Sequence, residues 1–216
     1  LIIDGGNFNV GVYSDTVGAV TLSSGSIAGG TGILTGSSYA ISNTSGNTII
    51  SAKLGGAGTL TKSGAGILTL SGTNTYSGGT TITDGTVSIS SDANLGATPG
   101  SADADNILLN GGKLLFTNSF ALGENRGITL GASNGTLGVN SSRAVTYAGI
   151  IVGDGELIKS DPGTLTLSGS NTYNGATTLS QGTLIVANDS ALGASVDPII
   201  INSGAVLELQ GGITLA

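Results

Sequence analysis

The chain has 216 residues, of which 39 are glycine and only 9% are charged, and it contains no Cys, His, Met or Trp. Without His or Cys, Ser-His-Asp and Cys-His constellations are impossible and zinc sites of the usual kinds are excluded; the glycine content, with no G-X-Y period, excludes collagen. A net charge of −7 with six basic residues scattered singly leaves no patch for a nucleic-acid backbone, and 38% hydrophobic content with few charges excludes disorder.

Leu1-Ile2-Ile3-Asp4 reads as the middle of a strand with no leader before it, so the sequence is expected to belong to something longer. Short runs then alternate apolar residues with Ser or Thr and stop at Gly, Asn or Asp. They include Ala19-Val20-Thr21-Leu22, Ile67-Leu68-Thr69-Leu70, Thr86-Val87-Ser88-Ile89, Gly127-Ile128-Thr129-Leu130 and Thr164-Leu165-Thr166-Leu167. A period of two places the aliphatic members on one face and the hydroxyls on the other. No helical period is sustained, because glycine interrupts nearly every window. Apolar runs such as Ile199-Ile200-Ile201 are too short to cross a bilayer, so no membrane insertion is expected of this segment.

Two regularities organise these runs. LTKSGAGILTLSGTNTYSGGTTI at 60–82 returns as LIKSDPGTLTLSGSNTYNGATTL at 157–179, an offset of 97 residues that Leu70/Leu167, Gly85/Gly182 and Gly96/Gly193 also keep. The presumed inward residues Leu68, Val87, Ile107, Ile128, Val145, Leu165, Leu184 and Ile199 follow at about nineteen residues per step, the spacing of a solenoid turn. Together they predict an all-β, right-handed parallel β-helix over 1–216, with about eleven turns, the long repeat being about five turns copied once near 55–96 and 152–193. Residues 97–106 (ATPGSADADN) are expected to form an outward loop.

At the repeated line the chain resembles a known family. Gly58 to Gly72, with Asn74-Thr75-Tyr76-Ser77-Gly78-Gly79-Thr80-Thr81 and the continuation to Asn94-Leu95-Gly96, is similar to the autotransporter-associated β-strand repeat, and Gly155 to Gly193 matches it again. Asp161-Pro162 replaces Gly64-Ala65 and Ala176 replaces Gly79, all at turns. The resemblance implies a bacterial surface or secreted passenger with a parallel β-helix fold, carried through the outer membrane by a C-terminal barrel. The absence of cysteine fits export through a pore.

Candidate chemistry is sparse. Asp154 and Glu156, two apart, would share a strand face beside Lys159 and could act as a carboxylate pair on a polysaccharide; as turn residues they are merely solvated. Asp103 and Asp105 fall in the expected loop. Asn74/Asn171 and Tyr76/Tyr173 could contact carbohydrate, but they recur with the repeat. The structural reading has Asn bonding its own backbone to shape a turn and Tyr lidding the coil below. Gly55-Gly56-Ala57-Gly58 lacks the helix and Gly-Lys-Ser/Thr ending of a phosphate loop. Aspartates are too few for a calcium nonapeptide array, and Thr59/Thr61 and Thr164/Thr166 recur on too few turns for an ice-binding array. No catalytic, cofactor or metal residue is therefore assigned. The expected function is a non-enzymatic extracellular stalk or adhesin segment of a surface passenger. It would display loops, associate with itself or a surface glycan or protein, and run on into further coils. The alternatives are a polysaccharide lyase or hydrolase and a self-assembling fibre subunit.

Overall fold

The computed structural model describes residues 1–194 and 197–214. Its strands pair in parallel throughout, as the regular spacing of the runs predicts, and wind into a solenoid of about 10 turns rather than eleven. At about 4.8 Å per rung the column is about 45 Å long. Apart from one 3-10 helix at Asp92–Leu95, the ordered elements are strands.

Each turn offers three inward-facing segments, which stack into three faces. On the first, Val20 pairs with Tyr39, Tyr39 with Leu60, Leu60 with Thr80, Thr80 with Ile107, Ile107 with Ile128 and Ile128 with Ile151. On the second, Ile27, Ile50, Leu70, Ile89, Phe116 and Val139 form one such column. These second-face side chains are all 0–1% exposed, and each fully buried aliphatic contributes about 1.5–3 kcal/mol. The core is thus a stack of nearest-neighbour contacts, the arrangement that lets a glycine-rich chain fold.

The third face is built in two pieces. In the lower half, Asp15–Thr16, Ile33–Thr35 and Lys53–Gly55 form a short sheet, extended upward by Thr75 N–H to Leu54 C=O and Ala97 N–H to Tyr76 C=O. In the upper half a new sheet begins at Phe120–Leu122 and continues through Ala144–Tyr147, Thr164–Leu167, Thr183–Val186 and Val206–Leu209. Between them lie the 3-10 helix and the loop after it. Thr80 pairs with Ile107, 27 residues on, whereas Leu60 and Thr80 are only 20 apart. The added length is the expected insertion, but it is shorter than 97–106: residues from Asp103 belong to the strand Asp103–Leu109.

That long turn corrects the inward register. Leu68 and Val87 stack, as do Leu165 and Leu184. Val87 continues to Leu114, however, and Ile107 belongs to the first face with Thr80 and Ile128. Val145 lies on the third face with Phe120 and Leu165, while Ile199 pairs with Thr177 on the second. A step of nineteen residues therefore hopped between faces wherever a turn was longer. The copy relation changes too. Leu60 is on the first face, four turns pass through Thr80, Ile107, Ile128 and Ile151, and Leu157 then falls on the second face, paired with Gly135 and Thr177. The 97-residue repeat is four and one-third turns, not five, and its second copy is rotated by one face.

Candidate functional site

The sequence-flagged carboxylates do not converge. Asp154 accepts from Asn174 Nδ2 at 2.9 Å in the turn above, whereas Glu156 accepts from Asn134 Nδ2 at 3.2 Å in the turn below. They sit in the turn between Ile151–Gly153 and Leu157–Ser160, not on one strand face. Lys159 is directed elsewhere. Asp103 and Asp105 lie at an exposed strand start: Asp103 accepts from the Asp105 N–H at 3.2 Å, and Asp105 from Thr129 Oγ1 at 3.2 Å. Each carboxylate is bonded to its own strand start or to a neighbouring turn, which is loop and rung chemistry. Among the described residues no three acidic side chains gather to hold a metal ion.

The repeated Asn and Tyr are interior. Asn74 Oδ1 accepts from Leu54 N–H at 2.9 Å and its Nδ2 donates to Asn94 C=O at 2.6 Å; Asn171 does the same with Ile151 N–H at 2.8 Å and Ala191 C=O at 2.6 Å. Each amide therefore clamps the turn below to the turn above, instead of bonding its own backbone as expected. Asparagine suits this because one side chain carries both donor and acceptor. Tyr76 and Tyr173 are buried, with hydroxyls 2.8 and 2.6 Å from Thr80 and Thr177 Oγ1. Burial pushes both phenols up to about 12, the threonine bonds opposing it. The Gly55–Gly58 run is structural as well: Gly55 C=O accepts from the Tyr39 hydroxyl at 2.6 Å.

Three buried cations escaped the sequence reading. Lys62 and Lys159 are fully buried, each in an otherwise aliphatic column: Lys62 between Ile41 and Ile82, Lys159 between Leu137 and Leu179. The Lys159 ammonium donates to the carbonyls of Ser160 (2.9 Å), Asp161 (2.8 Å) and Gln181 (3.0 Å), and Lys62 donates to those of Ser63 and Gly64. Burial lowers both amines, Lys159 to about 8, against the opposing pull of Asp161 and, for Lys62, Asp84. The signal was available: in Leu60-Thr61-Lys62, period two puts the lysine on the same side as the leucine.

Arg126, also fully buried, fills the gap on the third face. Its Nη1 donates to the carbonyls of Leu95 (3.1 Å) and Ala97 (3.2 Å) and to Asn106 Oδ1 (3.1 Å). Nη2 reaches Gly96 C=O at 2.7 Å and Thr98 Oγ1 at 3.1 Å, and Nε meets Asp92 Oδ1 at 2.8 Å. Burial pushes the Asp92 carboxyl up, but bonds from Arg126, the Gly123 N–H and Thr98 outweigh it and hold the carboxyl below its ordinary range. A planar fork of five donors matches this cluster of carbonyls and one carboxylate.

With three of six cations buried, the outer surface is more acidic than the composition suggests. It is otherwise neutral and flat. Thr61 stacks on Thr81 on the first face, while Thr146 stacks on Thr166 and Thr164 on Thr183 on the third. The Thr pairs that match in sequence thus point in different directions and make no single array. Ile49 and Ile67 stand 44% and 40% exposed on the second face. A shallow groove of about 310 Å³, lined by Ala121, Gly123, Glu124, Thr146, Ala148 and Ser168, offers no aromatic platform. No described helix is long and apolar enough to cross a membrane. The arrangement presents faces, and among the described residues it keeps Asp154 and Glu156 on different neighbours.

The passenger-associated-transport-repeat family matches residues 60–89 and 157–186, each running from the buried lysine strand to the following rung. The adhesin BmaC autotransporter of Brucella suis biovar 1 is 43% identical over 122 residues, which is 54% of this chain and 4% of that protein. The chain thus spans a small fraction of that relative's length. No solved structure matches.

Proposed function

For an autotransporter passenger repeat segment carrying two passenger-associated-transport-repeats, we propose the role of a rigid, non-enzymatic stalk or adhesive section of a bacterial surface passenger. The observation that carries this reading is the continuous buried column, with Ile27, Leu34, Leu68, Ile107, Val139, Leu165 and Leu184 each at 0% exposure and spread over all three faces. Such a stack resists bending because every turn is bonded to the turns above and below it. The adhesin name of the relative points the same way. The surface faces are hydroxyl-rich, with few and mostly acidic charges, so contacts with glycans, proteins or further copies would be many and weak and would rest on hydroxyls more than on ion pairs. The carboxylates that a lyase or hydrolase would need are directed to opposite neighbouring turns.

The test is adhesion by beads coated with the purified segment, scored on host cells, immobilised glycans and uncoated beads. A scattering profile should show a stiff rod, and the beads should adhere without altering the glycan. Cleavage of a polysaccharide that is lost in Asp154→Asn would overturn the non-enzymatic reading; a flexible, collapsed particle would overturn the stalk.

A further inference from the structure

We infer that the change of phase between the fifth and sixth turns is a built-in breakpoint at which the solenoid opens as two units, and that Arg126 is the latch that holds it shut. The inference rests on geometry alone and stands whatever the column does at a cell surface.

In a solenoid each turn contacts only its neighbours, so stability is a sum of turn and interface contributions, and the weakest interface decides where the stack parts. At other interfaces in the column's interior, backbone bonds cross on all three faces. Between the fourth and fifth turns, for example, Leu60 pairs with Thr80, Ile67 with Thr86, and Ala97 N–H donates to Tyr76 C=O. Between the fifth and sixth turns only two faces carry strand pairs, Thr80 with Ile107 and Thr86 with Lys113. On the third face Phe120–Leu122 has a strand above it, Ala144–Tyr147, and among the described residues no strand below.

The carbonyls of Leu95, Gly96 and Ala97 would there meet the N–H groups of a strand. They meet the guanidinium of Arg126 instead, a residue of the seventh turn. The same group holds Asp92, Thr98 and Asn106, and Asp92 in turn accepts from the Gly123 N–H at 2.9 Å in the sixth turn. One side chain therefore ties the fifth, sixth and seventh turns together where the backbone does not. Its loss leaves buried carbonyls and a carboxylate without their partner, the costly half of a buried polar cluster.

Hydrogen exchange read by mass spectrometry along a urea series tests this on the whole segment, with Arg126→Gln compared with Val139→Ala, a core cavity in the seventh turn away from the seam. In Arg126→Gln, amides of 92–98 and 118–126 should exchange at least about a hundredfold faster. Residues 1–91 and 127–194 should then open at two different urea concentrations. Val139→Ala should preserve slow exchange at 92–98. Equal acceleration in every turn with one transition, or unchanged protection at 92–98, would overturn the proposal. If Arg126→Gln does not fold, Asp92→Asn keeps the bonds from arginine to the carbonyls and must show the same localised acceleration in smaller measure; a uniform effect would again overturn it.

Discussion

Lys113 and Asp161 are 48 residues apart and two turns apart, yet Lys113 Nζ lies 3.0 Å from Asp161 Oδ2. The carboxylate reaches its partner across Gly138, which occupies the intervening rung between Leu115 and Ser160. A Cβ at position 138 would stand 2.4 Å from that carboxylate oxygen, so the absent side chain is what leaves the bridge room. Asp161 itself sits at φ 66, the left-handed seat that Gly64 occupies at φ 78 in the first copy.

Gly138→Ala should therefore cost about 1 kcal/mol, most of it displacement of the carboxylate, since a partly exposed ion pair alone is worth about 0–1 kcal/mol. In an Asp161→Gly background the same substitution should cost less, only the approaches to Leu115 Cδ1 and Ser160 Oγ at 3.1 Å remaining. Urea midpoints of the two single variants and the double variant measure the coupling; additive effects would refute the bridge.

Alkaline titration of the lysines should show in stability. The folded Lys159 amine is lowered to about 8 by burial, Asp161 opposing, from an ordinary 10.5. Between those values the unfolded chain binds the extra proton, so stability rises with pH through that window. Lys159→Met should remove most of the rise between pH 8 and 10, with Lys62, lowered by burial in the same direction, supplying the remainder.

The tyrosines act oppositely and at higher pH. Tyr76 and Tyr173 are raised to about 12 by burial, and Tyr39 and Tyr147 are raised for the same reason. Their contribution is whole below the ordinary phenol value of 10.0 and is lost as pH climbs toward 12. Tyrosinate absorbance from these four should appear only together with loss of strand circular dichroism. Gradual ionisation of the four before unfolding would contradict this.

Asn74→Ala should destabilise by about 2–5 kcal/mol, because it strands both the Leu54 N–H and the Asn94 carbonyl in the interior. Asn171→Ala should match it. Asp at either position keeps the acceptor but places a charge in the core, so it should be no milder. Thermal unfolding of the four variants is the check, and a cost below about 0.5 kcal/mol would place the clamps at the surface.

Much of this fold is legible in the residues. The alternation in Ile67-Leu68-Thr69-Leu70 and the echo of Lys62 in Lys159 specify parallel rungs, because only a solenoid buries such short strands at such regular spacing. What the sequence conceals is phase. Leu68 to Val87 is a true rung, but Val87 to Ile107 is a crossing from one face to another; both steps are near nineteen residues, and nothing local separates them. Asn74 was legible as structural but not as a clamp, since its partners at Leu54 and Asn94 are twenty residues away on either side. Arg126 was unreadable because it stands in for a strand that the sequence never contained.

The rotation of the second repeat by one face is tested most directly by paired cysteines, which the cysteine-free chain makes unambiguous. Thr136 and Ile158 are outward neighbours on adjacent rungs of the second face, whereas Thr129 lies on the first. Adjacent parallel rungs bring Cα atoms within the roughly 4.4–6.8 Å that a disulfide needs. Under mild oxidation Thr136→Cys with Ile158→Cys should cross-link within the monomer, and Thr129→Cys with Ile158→Cys should stay reduced. The reverse pattern would put both repeats in one phase and contradict the account.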